Sequence, residues 1–293
     1  MGSHRFRGTS RAKAITLVHS KGGAGKSVLT LNLMCFATEL DGLKTVLIDA
    51  DPTAQLTTFL LGEYTNQNIT TAYDRVHIGL PIDDLLVYVP EMKLWLLPGD
   101  PRRALEDNNG VYLADLIEWV KDVYVADGLD PPAPADIVFV DLPGSQPKAA
   151  YQAFMSVDYV AVPQKASDID QTSLPTLMHA LQSARATRKA CYAEDAPYFL
   201  GFIPNAVMRS APVHREIVRQ LAAFELMLPF IPFSFYLQST SIRGSRHGKK
   251  GVYYDAPQSS LVWQQFKQLW QAISDKAYQQ TSDDLKKLEA YLA

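Results

Sequence analysis

The segment Lys21-Gly22-Gly23-Ala24-Gly25-Lys26-Ser27 constrains this chain more than any other, because of what stands on either side of it. Before it lies a short apolar, β-branched run, Ala14–His19; after it comes Ser27–Leu40, where Leu29, Leu33, Phe36, Ala37 and Leu40 recur at helical spacing. Strand, glycine-rich turn, Lys-Ser and helix, in that order, make a phosphate-binding loop. Gly22, Gly23 and Gly25 let backbone N–H groups approach phosphate oxygens closely, and the N-terminus of the following helix adds partial positive charge. Lys26 is then positioned for the β- and γ-phosphates of a nucleotide, and the Ser27 hydroxyl for Mg²⁺.

Further apolar runs at Thr45–Asp49, Leu94–Leu97, Ile137–Asp141, Asp158–Val162 and Phe199–Ile203 have the unbroken hydrophobicity of strands buried on both faces. Alternating with helical stretches, they predict an α/β fold: a doubly wound, mostly parallel sheet with helices on both faces. The proline-rich stretch Gly128–Ala135 reads as a surface loop, and Val262, Phe266, Leu269, Trp270 and Ile273 as the core face of a C-terminal helix. No linker divides the chain. Residues 1–13 are expected to form a flexible basic tail and 14–293 one domain with C-terminal helices.

A Mg-nucleotide site also needs carboxylates at neighbouring strand ends. Two candidates are present. Leu47-Ile48-Asp49-Ala50-Asp51-Pro52 closes the second strand, and Ile137-Val138-Phe139-Val140-Asp141-Leu142-Pro143-Gly144 closes a later one. Taken alone, Asp51-Pro52 is equally the start of a turn, and an aspartate ends many strands. Three such motifs in this order and on these elements carry more weight than any one.

These boxes resemble the deviant Walker motifs of the ParA/MinD family of P-loop NTPases, a SIMIBI-type fold, and most closely the ParA-type DNA partition ATPases. Ser20 stands where the general Walker A pattern has its first glycine, and Lys21 is the additional lysine that marks the deviant form. The resemblance implies that Lys21 crosses a dimer interface to the partner's nucleotide and acts in catalysis with Lys26 and Asp51. It assigns ATP contacts to Gly22, Gly23, Ala24, Gly25, Lys26, Ser27 and Val28, and Mg²⁺ to Ser27, Asp49 and Asp141. Thr53 replaces the glutamine usual after Asp51-Pro52. Phe199–Asn205 is similar to the strand whose terminal asparagine contacts adenine, so Asn205 is an adenine ligand or the cap of a turn; Pro232, in Pro229-Phe230-Ile231-Pro232, corresponds to a segment flanking the base.

Charge separates the family's functional branches. Overall the chain carries −3, yet residues 185–250 hold ten basic residues, Arg185, Arg188, Lys189, Arg209, Arg215, Arg219, Arg243, Arg246, Lys249 and Lys250, against four acidic ones. Such a local excess fits non-specific DNA binding through phosphates. Membrane contact of the Min type requires a basic amphipathic C-terminal helix, whereas Lys286 and Lys287 are outnumbered by Asp283, Asp284 and Glu289 beside the Leu285, Leu288 and Leu292 stripe. With 13 or so residues before the first strand, no N-terminal helix-turn-helix is expected. Cys35 and Cys191 suit neither a disulfide framework nor a zinc site. The expectation is a cytoplasmic, nucleoid-associated ATPase that forms an ATP-dependent homodimer, holds non-specific DNA and answers to a ParB-like activator, with no membrane partner. A positioning ATPase for a protein cargo, a MinD-like regulator and a dethiobiotin-synthetase-like ligase are the alternatives.

Overall fold

The computed structural model describes residues 6, 7, 9, 11–19, 22–62, 81–99, 112–126, 132–144, 147–165, 174–223, 225–234, 251–279, 287 and 290. Its strands are β1 (Lys13–Leu17), β2 (Thr45–Asp49), β3 (Val87–Val89), β4 (Leu94–Leu97), β5 (Tyr124–Val125), β6 (Ala133–Pro134), β7 (Ile137–Asp141), β8 (Tyr159–Lys165) and β9 (Tyr198–Asn205). Seven of them form one sheet in the order β3-β4-β2-β7-β1-β8-β9. All neighbours run parallel except β3 on β4. The six expected apolar runs are therefore all strands of this sheet, and the architecture is the doubly wound one.

The helices are α1 (Lys26–Asp41), α2 (Gln55–Leu61), α3 (Tyr112–Lys121), α4 (Pro147–Phe154), α5 (Leu174–Tyr192), α6 (Pro212–Ala223), α7 (Val252–Asp255) and α8 (Leu261–Gln279). Alternation along the strands divides the core in two. In β7, Ile137 and Phe139 join the cluster built with α1 and α8, while Val138 and Val140 join the cluster under α3 to α6. Phe36 of α1 is fully buried and stacks on Phe266 of α8 at 5.8 Å. Its truncation to alanine removes about 3–5 kcal/mol, the range for large buried aromatics. Gly42 ends α1 in the left-handed conformation, φ 61°, with its N–H on the Ala37 carbonyl.

Two features differ from the sequence expectations. Part of the N-terminal stretch is docked rather than free: Phe6 is buried against Trp270, Arg7 donates to the Asp41 and Gly42 carbonyls, and Arg11 pairs with Asp122 and Glu118. The aromatic ring drives this docking, which a count of basic residues does not register. Within Gly128–Ala135, Ala133–Pro134 pairs with β5 as a small ribbon. Residues 226–233 line the outer edge of β9, with Phe202 N–H on the Leu226 carbonyl and Ile231 N–H on that of Pro204. The C-terminal leucine stripe, Leu285, Leu288 and Leu292, lies outside the described residues; Lys287 beside it reaches Glu225.

Candidate functional site

Three adjacent strands, β2, β7 and β1, end level with one another: Leu17 is in register with Asp141, and Asp141 with Asp49. Their carboxyl ends lie at the point where the strand order reverses direction, the place where open α/β sheets bind ligands. From β1 the chain enters the glycine turn. Gly23 and Gly25 have φ of 79° and 89°, which a side chain would strain. Gly25 is also the N-cap of α1 and supplies no side-chain cap, so the first-turn N–H groups of α1 point out of the helix without one.

Lys26 is buried, and desolvation lowers its pKa against the attraction of Asp141 and then Asp51. Two of the three sequence-predicted carboxylates thus act electrostatically on the loop lysine. Asp141 is fully buried. Its pKa is pushed up to about 8, first by burial, then by the charges of Asp49 and Asp51, against a hydrogen bond from Ser27 and the charge of Lys26. Its Oδ1 has no hydrogen-bond partner among the described residues. A buried acceptor left bare costs about 1–3 kcal/mol, so the arrangement favours a ligand that brings a donor. Gly144 follows on the same loop, and a Cβ there would come within 3.1 Å of Gly22 Cα and 3.3 Å of Lys26 Nζ. The loop after β7 therefore rests on the glycine turn itself.

Asp49 is held differently. Its Oδ2 accepts from the Thr57 N–H at 2.8 Å and the Thr57 hydroxyl at 2.7 Å, while Oδ1 accepts from the Asp51 N–H at 3.3 Å. Burial raises its pKa and the Thr57 bonds oppose the shift. Asp51 Oδ1 accepts from both the N–H and the hydroxyl of Thr53, at 2.8 and 2.7 Å. The residue in the usual glutamine position thus holds the carboxylate rather than reaching away from it. Thr57 did not stand out in the sequence, and Thr53 did so only as a departure from the usual glutamine, because a threonine near a turn is common and carries no periodic signal.

Asn205 ends β9 beside the loop. Its amide donates to the Ala24 carbonyl at 2.9 Å and its Oδ1 accepts from the Ala206 N–H at 2.8 Å. A side chain at position 25 would collide with Asn205 Nδ2, so Gly25 is required for this approach as well as for its φ. Pro232 is buried and bridged to Val207, two residues beyond Asn205. Between α1 and α2 a cleft of about 520 Å³ opens next to the loop, lined in part by Ser27, Val28, Leu31, Thr53, Leu56 and Phe59.

The described members of the basic segment do not form one face. Arg188 is buried, donating to the Phe154 and Val157 carbonyls and pairing with Glu194, which removes it from any DNA-contacting set. Arg185 is half-buried over the Tyr198 ring, and Lys189 pairs with Asp195; both sit at the far end of β9. Arg209, Arg215 and Arg219 are exposed on α6 and the turn before it, with Arg219 paired to Glu216. Lys21, Arg243, Arg246, Lys249 and Lys250 lie outside the described residues. Among the described residues no three His, Cys, Asp or Glu side chains cluster as a ready-made cation cage. No helix among them is long and apolar enough to cross a membrane.

The sequence profile described as the CobQ/CobB/MinD/ParA nucleotide binding domain matches residues 15–246. Comparison with curated proteins gives no match. Among solved structures, the ATP complex of a single-residue variant of McdA from Cyanothece is similar at TM-score 0.66 and 17% identity, over 91% of this chain and 96% of that one. A protein assigned to plasmid partition from Borrelia burgdorferi, bound to AMPPNP, gives TM-score 0.66 at 18% identity, over 90% and 99%. The septum site-determining protein MinD from Pyrococcus horikoshii, complexed with Mg-ADP, gives 0.61 at 21% identity, over 90% and 95%. At such identities the structures establish a shared fold.

Proposed function

The chain belongs to the CobQ/CobB/MinD/ParA nucleotide-binding family and has the fold of a P-loop ATPase, and we propose from that premise that it is a ParA-like DNA partition ATPase. The observation that carries the reading is the level ending of β1, β2 and β7 at Asp49 and Asp141, with the Gly144 loop resting on Gly22 and Lys26 beside an uncapped helix N-terminus. Backbone N–H groups from Gly22 to Val28 cradle the phosphates of ATP, and Lys26 contacts the β- and γ-phosphates. Ser27, Asp49 and Asp141 would hold Mg²⁺ and its water shell, and the Asp141 Oδ1 without a partner among the described residues fits that part. When bound, the ion neutralises charge developing on the transferred phosphoryl group. Asp51 orients the attacking water, and Asn205 and Pro232 border the base.

Lys21 from a second copy completes the site, so ATP favours a face-to-face homodimer more than ADP does. Non-specific DNA is held by exposed arginines, with Arg209, Arg215 and Arg219 as the described candidates, and a ParB-like partner stimulates hydrolysis and release. DNA retention across a salt series, with ATP and with ADP, tests this. Retention with ATP alone supports the proposal, and equal retention with both nucleotides, or none, sinks it. The cleft beside Ser27 and Thr53 favours one other reading, a ligase that passes phosphate to a small-molecule acceptor. ATP turnover without added substrate excludes that reading.

A further inference from the structure

Thr57 lies in the first turn of α2, fully buried, and joins three pieces of backbone. The helix begins at Ala54, which has φ 48° and contributes no side-chain cap. An orphan N–H of its first turn, that of Thr57, is instead satisfied by Asp49, eight residues earlier at the tip of β2. The Thr57 hydroxyl accepts from the Gly99 N–H at 2.8 Å, so its proton is directed to Asp49 Oδ2 at 2.7 Å. Gly99 leaves β4, and a Cβ on it would stand 3.0 Å from both Asp49 Cγ and Oδ2. One hydroxyl thus ties the start of α2 to two strand ends.

The segment closed by this tie, residues 49–57, carries Asp51. Within it the Ala54 N–H bonds the Asp51 carbonyl and Thr53 holds the Asp51 carboxylate. The turn is short and internally bonded, so its position relative to Lys26 follows from where its ends are fixed.

We propose that Thr57 is a positioning residue for hydrolysis: its hydroxyl clamps α2 to the tips of β2 and β4 and thereby sets the reach of Asp51. This rests on Asp51 being the carboxylate that orients water. A misplacement of about 1 Å in a reacting group costs up to about 100-fold in rate. Thr57→Val keeps the shape and the backbone N–H while removing the hydroxyl. It lowers kcat by about tenfold or more with the KM for ATP within about twofold, the pattern of an interaction made only in the transition state. Thr57→Ser restores turnover, and Gly99→Ala, which crowds the same carboxylate, reproduces the loss.

Steady-state hydrolysis of Mg-ATP by the full chain, with binding of a fluorescent ATP analogue alongside, reads all four proteins. Parental kcat in Thr57→Val overturns the proposal, as does a Thr57→Ser protein as slow as Thr57→Val, or a joint fall of kcat and ATP affinity. If Thr57→Val does not fold, Gly99→Ala decides by the same kcat criterion. Failure of the site reading is separate: it shows as no hydrolysis by the parent chain, or as undiminished hydrolysis by Asp51→Ala.

Discussion

Both ends of the sheet bury charge, and they treat it in opposite ways. At the amino ends of the strands, Asp158 accepts from the Ala14 N–H and pairs with Lys13 and Lys121. Lys121 also reaches the Ser156 carbonyl, and Arg188 is engaged by two carbonyls and Glu194. At the carboxyl ends, Asp141 keeps an oxygen without a partner among the described residues, Lys26 is desolvated, and glycines hold positive φ. Buried ions survive folding when paired and hydrogen-bonded. The paired end is explained by the fold alone, whereas the other end, with partners missing among the described residues, suits something it binds.

Removing a lysine from each end sharpens the contrast most. Lys26→Ala weakens ATP binding by about 100-fold, the order carried by two charge-assisted hydrogen bonds, and leaves stability near that of the parent. Lys121→Met strips a buried partner from Asp158 and costs about 3 kcal/mol in a denaturant titration, with ATP affinity of the folded protein unchanged. The contrast breaks if the two phenotypes are exchanged. Next, Asp51→Ala lowers turnover by about 100-fold while a fluorescent ATP analogue still binds within about threefold of parent, as for loss of a positioned base.

Acidity probes the same distinction. An unfolded aspartate titrates at about 3.9, against about 8 for Asp141 in the folded chain. Between those values the folded chain retains a proton that the unfolded chain has released, so Asp141 subtracts more stability as pH rises through the window. Asp141→Asn therefore raises the Tm of the nucleotide-free, metal-free protein, most near pH 8 and least below pH 4, in thermal unfolding across pH. A Tm gain that does not vary with pH contradicts this account of the site. Smallest is Asn205→Ala, which removes a neutral brace on the loop; about 1 kcal/mol, or roughly fivefold in ATP affinity, is expected by calorimetry.

Much of this was legible in the sequence, for reasons that also explain what was not. Strands buried on both faces leave unbroken apolar runs, so β1, β2, β4, β7, β8 and β9 could be read directly. Val87–Val89 could not: three residues at an edge, only one of them buried, give too short a pattern. Gly22, Gly25, Lys26, Asp51 and Asp141 were visible because strand, turn and helix chemistry fixes their spacing. Thr57 and Thr53 act through contacts across a loop, which have no periodicity. Arg188 looked like its exposed neighbours, because a charge in a sequence does not disclose its surroundings.

The stretch 226–233 beside β9 has a consequence for how copies of this chain can associate. Its bonds with Phe202, Pro204 and Val207 occupy backbone groups that an outermost strand otherwise offers to any passing chain. Growth of the sheet from one molecule into the next is closed on that flank. On that side a second copy finds side chains to dock on rather than a backbone ladder to extend.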